Sequence, residues 1–148
     1  MDGTAFASVE REIEENGAYV LKTSGASMLP LFKSGRDIVI VSKPTHPLKK
    51  YDVALYRGAG GRYILHRVIR VNEGGYVMRG DNTFYNESVG ASDVVGVLTA
   101  FIRGDKRHEI SELGYKFYSR LWHFIYPIRL FFEKCKRLWR KIFKKGKK

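Results

Sequence analysis

Two residues in this chain could together cleave an amide bond. Ser27 follows Gly25 and Ala26, whose small size leaves room for another backbone to approach the hydroxyl. A serine hydroxyl is a poor nucleophile until a base takes its proton. Of the four histidines, His66 lies within an apolar run, whereas the others lie in a loop or in charged or helical surroundings. Ser27 and His66 are therefore candidates for nucleophile and general base, although a polar turn and a packed histidine are the ordinary interpretations of each alone.

Asp81 is a candidate for the carboxylate that would orient such a base. It lies in the Arg-Gly-Asp-Asn turn at 79–82, which ends the strand expected to pair with the strand of His66. A hairpin could bring its carboxylate near the imidazole. An Asp in this kind of turn is also a common turn former, so its position alone leaves both roles open.

Short strands are the elements that would hold these residues. Apolar and β-branched runs between Gly, Pro and Asn turns predict strands at 18–22, 37–42, 52–57, 62–71, 76–79 and 94–102. Gly96 is a candidate bulge in the last strand. A helix is predicted at 4–16, with Phe6, Val9 and Ile13 on one face. The pattern indicates one mainly β, barrel-like domain.

Four segments, taken in order, resemble the conserved boxes of type I signal peptidases. They are Ser27-Met28-Leu29-Pro30, Arg36-Asp37-Ile38-Val39, Leu65-His66-Arg67-Val68-Ile69 and Arg79-Gly80-Asp81-Asn82, followed by Asp93-Val94-Val95-Gly96. The resemblance covers roughly residues 20–100. Its His-Arg-Val box is similar to that of the branch of the endoplasmic reticulum, archaea and sporulating bacteria, which uses histidine. The common bacterial branch and the related LexA-type self-cleaving repressors use lysine there.

The resemblance implies a signal peptidase/LexA-like β-barrel-type catalytic domain. It implies a serine endopeptidase that cleaves a signal peptide, a leader peptide or a membrane-proximal segment, with small residues beside the cut bond. Ser27 would be the nucleophile and its backbone amide the oxyanion donor, with His66 as general base. Asp81 would orient His66. The substrate would bind as an added strand, and Met28 with residues 38–41 could line its pockets or simply form core.

The chain departs from the family pattern at three places. Gly25 stands where lysine-branch members often have a Ser that donates to the oxyanion, and Arg36 stands where the family usually has Gly before Asp37. The histidine branch has a second acid shortly after Gly-Asp-Asn, and here Glu87 or Asp93 could fill that place. We rank Asp81 first, Glu87 second and Asp93 third as the acid that serves His66.

The C-terminal segment 113–148 is strongly basic. It holds 12 Lys/Arg and one acid, whereas residues 1–112 hold 15 Lys/Arg and 14 Asp/Glu. Aromatic and aliphatic residues recur at helical spacing, and Pro127 is expected to kink or split the helix. We therefore divide the chain into a peptidase domain, 1–112, and a basic amphipathic membrane-surface helix with its tail, 113–148. A helix packed on the body of the protein, with a solvated basic tail, is the alternative interpretation of this segment. The residues expected to face an anionic membrane are Trp122, Phe124, Ile128, Phe131, Phe132 and Trp139.

Composition limits the other classes of function. No run of about 18 apolar residues predicts a transmembrane helix, and residues 1–16 do not read as a signal peptide. We therefore expect a peripheral protein at the cytoplasmic face of a membrane. The single cysteine, Cys135, permits no intrachain disulfide, and we expect no metal and no cofactor. The nearly neutral body argues against nucleic acid as a partner.

Two rival functions stay open at this point. One is a non-catalytic regulator or adaptor that keeps the peptidase fold and binds membrane or nucleic acid. The other is a self-cleaving repressor, for which residues 1–17 are too short to supply a DNA-binding helix-turn-helix.

Overall fold

The computed structural model describes residues 3–145, with side chains described from Val9 to Phe143. Its helices and strands, in chain order, are α1 (Gly3–Asn16), β1 (Ala18–Lys22), β2 (Asp37–Ser42), β3 (Val53–Arg57), β4 (Tyr63–Asn72), β5 (Gly75–Arg79), β6 (Glu87–Gly90), β7 (Val94–Arg103), β8 (Lys106–Glu109), α2 (Leu113–Phe124) and α3 (Tyr126–Lys145). A 3-10 turn, Ala91–Asp93, joins β6 to β7.

The strands form one antiparallel sheet, which confirms the prediction of a mainly β fold. The strand order is β1-β2-β7-β3-β4-β5-β6, and β8 pairs with β7 beyond the end of β3. The β3–β7 register shifts so that Leu55 faces Gly96 while Tyr56 faces Val94, which is the irregularity expected at Gly96. Further shifts in the β2–β7 and β4–β5 pairs add to the bending of the sheet.

Strands β6 and β8 are absent from the prediction. Their sequences, Glu-Ser-Val-Gly and Lys-Arg-His-Glu, are short and polar, and they lack the apolar alternation that indicates a half-buried strand. Each pairs with only one neighbour among the described strands, and a strand at the edge of a sheet has less apolar surface to bury.

The core contains three groups of buried side chains. One group includes Met28, Leu31 and Phe32, so the segment that carries Ser27 is anchored in the interior. A second group lies beneath β3, β4 and β5. In the third, Val9 and Ile13 of α1 pack against the sheet, as their helical spacing predicts. The side chain of Phe6, predicted on the same face, lies outside the described residues.

The C-terminal segment forms two helices. The break falls at Ile125, and Pro127 occupies the first turn of α3, where a proline is tolerated because its missing N–H has no helical acceptor there. Helix α2 packs on the body, because Tyr115 and Tyr118 lie against the core group that includes Phe101. Within residues 3–145, no helix is long and apolar enough to cross a membrane.

Candidate active site

Ser27 lies in a looped segment between β1 and β2 that is fixed at both ends. The amide of Thr23 donates to Asp37 O at 3.0 Å and the amide of Gly35 donates to Thr23 O at 3.0 Å, which closes the base of the loop. The Phe32 amide donates to Met28 O at 2.9 Å. Buried apolar residues and a closed base hold the backbone on both sides of Ser27, while the Ser27 side chain itself stays partly exposed.

Asp37 supports this loop from β2. Its carboxylate is fully buried and accepts hydrogen bonds from the Lys33 amide at 2.7 Å, from Arg36 Nη2 at 2.7 Å and from Arg103 Nε at 3.2 Å. Burial opposes ionisation of the carboxyl, but the bonds from Arg36, Lys33 and Arg103 outweigh it and hold the pKa of Asp37 below its ordinary value. Arg36, which stands where the resemblance to signal peptidases would place a glycine, is thus a hydrogen-bond partner of the Asp37 carboxylate.

The turn after β5 joins the Ser27 loop to the strand of His66. The Asn82 amide donates to Ser27 O at 2.7 Å, and Asn82 Nδ2 donates to Ala26 O at 3.2 Å. A methyl group placed on Gly80 would fall 2.6 Å from Ser27 O and 2.9 Å from His66 Nε2. Both atoms therefore lie within 2.9 Å of one point, and only a residue without a side chain fits between them.

The two ring nitrogens of His66 lie in different surroundings. Its side chain is nearly fully buried on β4, and Nδ1 lies 2.9 Å from Glu87 Oε2 on β6 and 3.0 Å from the Tyr56 hydroxyl on β3. The Tyr56 hydroxyl also donates to Glu87 Oε2. With Glu87 accepting from Nδ1, the Nε2 lone pair is left on the side of Gly80 and Ser27. Catalytic hydrogen bonds often form only with substrate bound, and none joins Ser27 Oγ to His66 in the described structure.

Burial and charge act in opposite directions on His66. Burial disfavours the imidazolium and lowers the pKa of His66, while the carboxylates of Glu87 and, less strongly, Asp81 favour it. The net direction is downward, so His66 is neutral near pH 7 and able to accept a proton. Burial and the contact with Glu87 raise the pKa of Tyr56, which keeps its hydroxyl protonated as a donor to that carboxylate.

Asp81, ranked first from the sequence, pairs with Arg67 instead of hydrogen-bonding to His66. Its two carboxylate oxygens accept from Arg67 Nε and Nη2, both at 2.8 Å, and both side chains are buried. Burial disfavours the charge of the Arg67 guanidinium, but the attraction of Asp81 is stronger and raises the pKa of Arg67. Asp93 lies beside Gly90 in the 3-10 turn, and within residues 3–145 no hydrogen bond or ion pair links it to His66. The geometry favours Glu87 among the three acids.

Helix α2 covers the Arg67–Asp81 pair. Ser119 Oγ accepts from Arg67 Nη1 at 2.9 Å, and the Tyr118 hydroxyl donates to Asp81 Oδ2 at 3.0 Å. Trp122 Nε1 donates to Asp81 O at 2.8 Å. The charged pair thus connects the turn of Gly80 to a helix that the sequence assigned to a separate membrane element.

Trp122, one of the residues predicted to face a membrane, contacts the body through its indole nitrogen. Its ring stacks on Tyr118 with centroids 5.7 Å apart. The other residues predicted to face a membrane have no such contact and are more than half exposed: Phe124, Ile128, Phe131, Phe132 and Trp139.

A cleft of about 240 Å³ opens beside Ser27. It is lined by the end of β1, the Ser27 loop and the first residues of β4, from Leu21 to Gly25, Ser27, Met28, Phe32, Leu55 and Tyr63 to Leu65. Of the candidate pocket residues, Met28 lines the cleft, whereas Val39 and Val41 are fully buried in the core. Among the described strands, β1 pairs only with β2, and β5 pairs with β4 only from Arg67 onward. Free backbone edges therefore flank the cleft on both sides.

The backbone amide of Ser27 donates no hydrogen bond to another described residue. Gly25, in place of a side-chain donor, has a left-handed φ of 79° that suits glycine. Within residues 3–145, the His, Cys, Asp and Glu side chains form no group of three that could hold a metal ion.

Tyr56 and Arg67 are site residues to which the sequence reasoning gave no role. The β3–β4 hairpin pairs Ala54 with His66 and Tyr56 with Ile64. Because side chains alternate along a strand, Tyr56 and His66 then share one face as diagonal neighbours. The loop of this hairpin spans 58–62, one residue longer than the gap between the predicted strands 52–57 and 62–71. The predicted turn therefore did not give the register that brings Tyr56 beside His66. Comparison of the chain with protein-family models and with curated proteins finds no match.

Proposed function

We propose that the protein is a serine endopeptidase that uses Ser27 as nucleophile and His66 as general base. The observation that carries the proposal is the meeting at Gly80, where Ser27 O and His66 Nε2 lie within 2.9 Å of one point. Ser27 and His66 are far apart in the chain and belong to a loop and a strand that share no register pairing. A loop-borne serine, fixed beside a buried neutral imidazole, is the arrangement that hydroxyl activation needs.

The reaction begins when Ser27 Oγ attacks the carbonyl carbon of the substrate. His66 Nε2 takes the hydroxyl proton as the new C–O bond forms, and the Ser27 amide donates to the carbonyl oxygen as it becomes negative. The imidazolium then gives its proton to the leaving amine, and the C–N bond breaks. A water molecule, activated by the same imidazole, releases the acyl group from Ser27.

Glu87 is the acid of this mechanism in our proposal. It accepts from Nδ1 and stabilises the imidazolium, while the Tyr56 hydroxyl orients the carboxylate. Asp81 is a positioning residue, because it acts through Arg67 and the turn that binds Ser27 O. In this proposal Glu87 replaces Asp81, which the sequence analysis ranked first, as the acid that serves His66.

The substrate we propose is an extended peptide with small residues beside the cut bond. The free edges of β1 and of the first part of β4 could each pair with an added strand that enters the cleft. The buried residues Met28 and Phe32 are among those that line the cleft, and its volume of about 240 Å³ leaves room for small side chains. A signal or leader peptide, or a membrane-proximal segment, fits this description.

A signal peptidase/LexA-like fold is the finer architecture that we propose. In its support, the serine loop precedes a β2 strand that begins with Asp37, the histidine lies on an inner strand, and the Gly-Asp-Asn turn bridges the two. The second candidate function is a non-catalytic regulator with the same fold. It is favoured by the lack of a hydrogen bond between Ser27 Oγ and His66 in the described structure.

Incubation of the purified protein with a peptide library, read by mass spectrometry, tests the two functions. We expect cleavage after small residues by the wild type and none by Ser27→Ala. Ser34→Ala is the matched control, because it removes an exposed hydroxyl from the same loop at a residue that does not line the cleft. Cleavage that survives Ser27→Ala would contradict Ser27 as the nucleophile. No cleavage of any peptide by the wild type, with or without anionic vesicles, would favour the regulator.

A further inference from the structure

Helix α3 has a continuous apolar face with no partner in the described chain. Its members are each more than half exposed: Ile128, Phe131, Phe132, Leu138, Trp139, Ile142 and Phe143. At 3.6 residues per turn, they fall within roughly 140° of the helix circumference. An apolar surface of this extent on a water-exposed helix marks a binding site.

The opposite side of α3 attaches it to the body. The Arg79 guanidinium lies 3.3 Å from the ring centroid of Tyr126, and Phe84 stacks on the same ring. The Arg129 guanidinium lies 4.0 Å from the ring centroid of Trp122. Helix α3 is thus held at its first turn by its polar side, and its apolar face is turned away from the protein.

Charge selects the occupant of this face. Residues 126–145 contain eight Lys/Arg and one acid, Glu133, which pairs with Arg137 at 3.0 Å. A second copy of the chain would bring two such cationic helices together, which Coulomb repulsion opposes. An anionic lipid surface satisfies both sides of the helix, since acyl chains accept the aromatic face and phosphates attract the cations.

We propose that α3 binds the surface of an anionic membrane, with its apolar face at the boundary between headgroups and acyl chains. The helix lies in the membrane plane, because its other side carries charge along its whole length. Membrane binding by α3 does not depend on the chemistry proposed at Ser27. Because the first turn of α3 contacts α2 and the body, a membrane-bound α3 would hold the body of the protein at the lipid surface.

Vesicle flotation tests the proposal with the full chain. We expect the protein to float with vesicles of phosphatidylcholine mixed with phosphatidylserine, and much less with pure phosphatidylcholine. Arg140→Gln with Lys141→Gln should weaken binding to the anionic vesicles about 25-fold, at about fivefold per cation. Phe131→Ser, Phe132→Ser and Trp139→Ser combined should weaken it about 100-fold or more.

Control variants show whether a loss of vesicle binding comes from the apolar face of α3. Val71→Ser removes an exposed apolar residue from the body and should bind as the wild type does, as should Ser27→Ala. Circular dichroism of the triple variant should retain the sheet signal, because the altered side chains do not touch the body. The proposal is overturned if the wild type fails to float with anionic vesicles, or if the triple variant floats equally well. It is also overturned if the apolar face instead forms a stable dimer in sizing experiments or binds nucleic acid in preference to lipid.

Discussion

Replacement of Glu87 by Gln removes the negative charge beside His66 Nδ1 and keeps the size of the side chain. Gln can still accept from Nδ1–H through its carbonyl oxygen, so the tautomer of His66 is retained. What is lost is the charge that stabilises the imidazolium. A hydrogen bond between charged groups contributes about 1.5–3 kcal/mol, and the partial exposure of Glu87 favours the lower part of that range. We therefore expect kcat/KM to fall by about 10- to 30-fold.

The assay that needs no substrate is an NMR titration of the His66 ring nitrogens. Glu87 favours the imidazolium, so the Glu87→Gln variant should titrate at a lower pH than the wild type. Asp81→Asn is the control. It leaves the buried Arg67 without its anion, which should destabilise the fold by about 3–5 kcal/mol and lower Tm by about 10–15 °C.

The two variants therefore separate two roles. Glu87→Gln should lower the pKa of His66 and the activity with little change in Tm. Asp81→Asn should lower Tm strongly and shift the His66 titration less, because Asp81 favours the imidazolium less strongly than Glu87 does. If Glu87→Gln leaves the titration of His66 and the activity unchanged, and a folded Asp81→Asn protein is inactive, the assignment of the two acids is refuted.

Three further predictions concern the loop, the turn and the base. Gly80→Ala places a methyl 2.6 Å from Ser27 O, so it should cost about 1–3 kcal/mol of stability and about 100-fold in kcat/KM, measured by thermal melts and peptide cleavage; unchanged rates would contradict the packing. Asp37→Asn should reduce stability by about 1–3 kcal/mol. Because the pKa of Asp37 is lowered in the folded state, the stabilisation by its carboxylate is lost as the pH falls. Denaturant unfolding should therefore show that the free energy of unfolding decreases more at acid pH in the wild type than in Asp37→Asn. The pH profile of kcat/KM should rise with a midpoint below 6.5, where His66 loses its proton, and a midpoint above 6.5 would contradict its burial.

The strands with apolar alternation could be predicted from the sequence, and the polar edge strands could not. β2 and β4 bury β-branched residues on at least one face, so their pattern carries the signal. β6 forms through pairing with β5, in a register that sets Glu87 opposite Met78. That register is a tertiary property, and without it the position of Glu87 beside His66 is not visible in the sequence.

The sequence analysis ranked Asp81 above Glu87, whereas Glu87 is the acid that contacts His66. The sequence itself contains the reason for this difference. Arg67 and Arg79 are register partners, and Asp81 follows Arg79 by two positions. Because side chains alternate, Asp81 falls on the side of Arg67, whereas His66 points to the opposite face. Proximity along a hairpin suggested Asp81, and strand alternation would have assigned it to Arg67.

The C-terminal helices show where an amphipathic pattern misleads. The spacing of Phe and Leu residues defines an apolar face, which predicts either membrane binding or packing on the body. α2 instead docks through the residues between them, with Tyr118, Ser119 and Trp122 on a buried ion pair. Polar docking of this kind depends on a partner from a distant part of the chain, so hydrophobic periodicity cannot indicate it.

The most direct test of the account is a double-substitution cycle on peptide cleavage with Ser27→Ala, His66→Ala and the two combined. Residues that act as one catalytic unit lose their effect together, so the double variant should be no slower than either single variant. If the loss in the double variant equals the product of the two single losses, Ser27 and His66 act independently, and the proposed mechanism is contradicted.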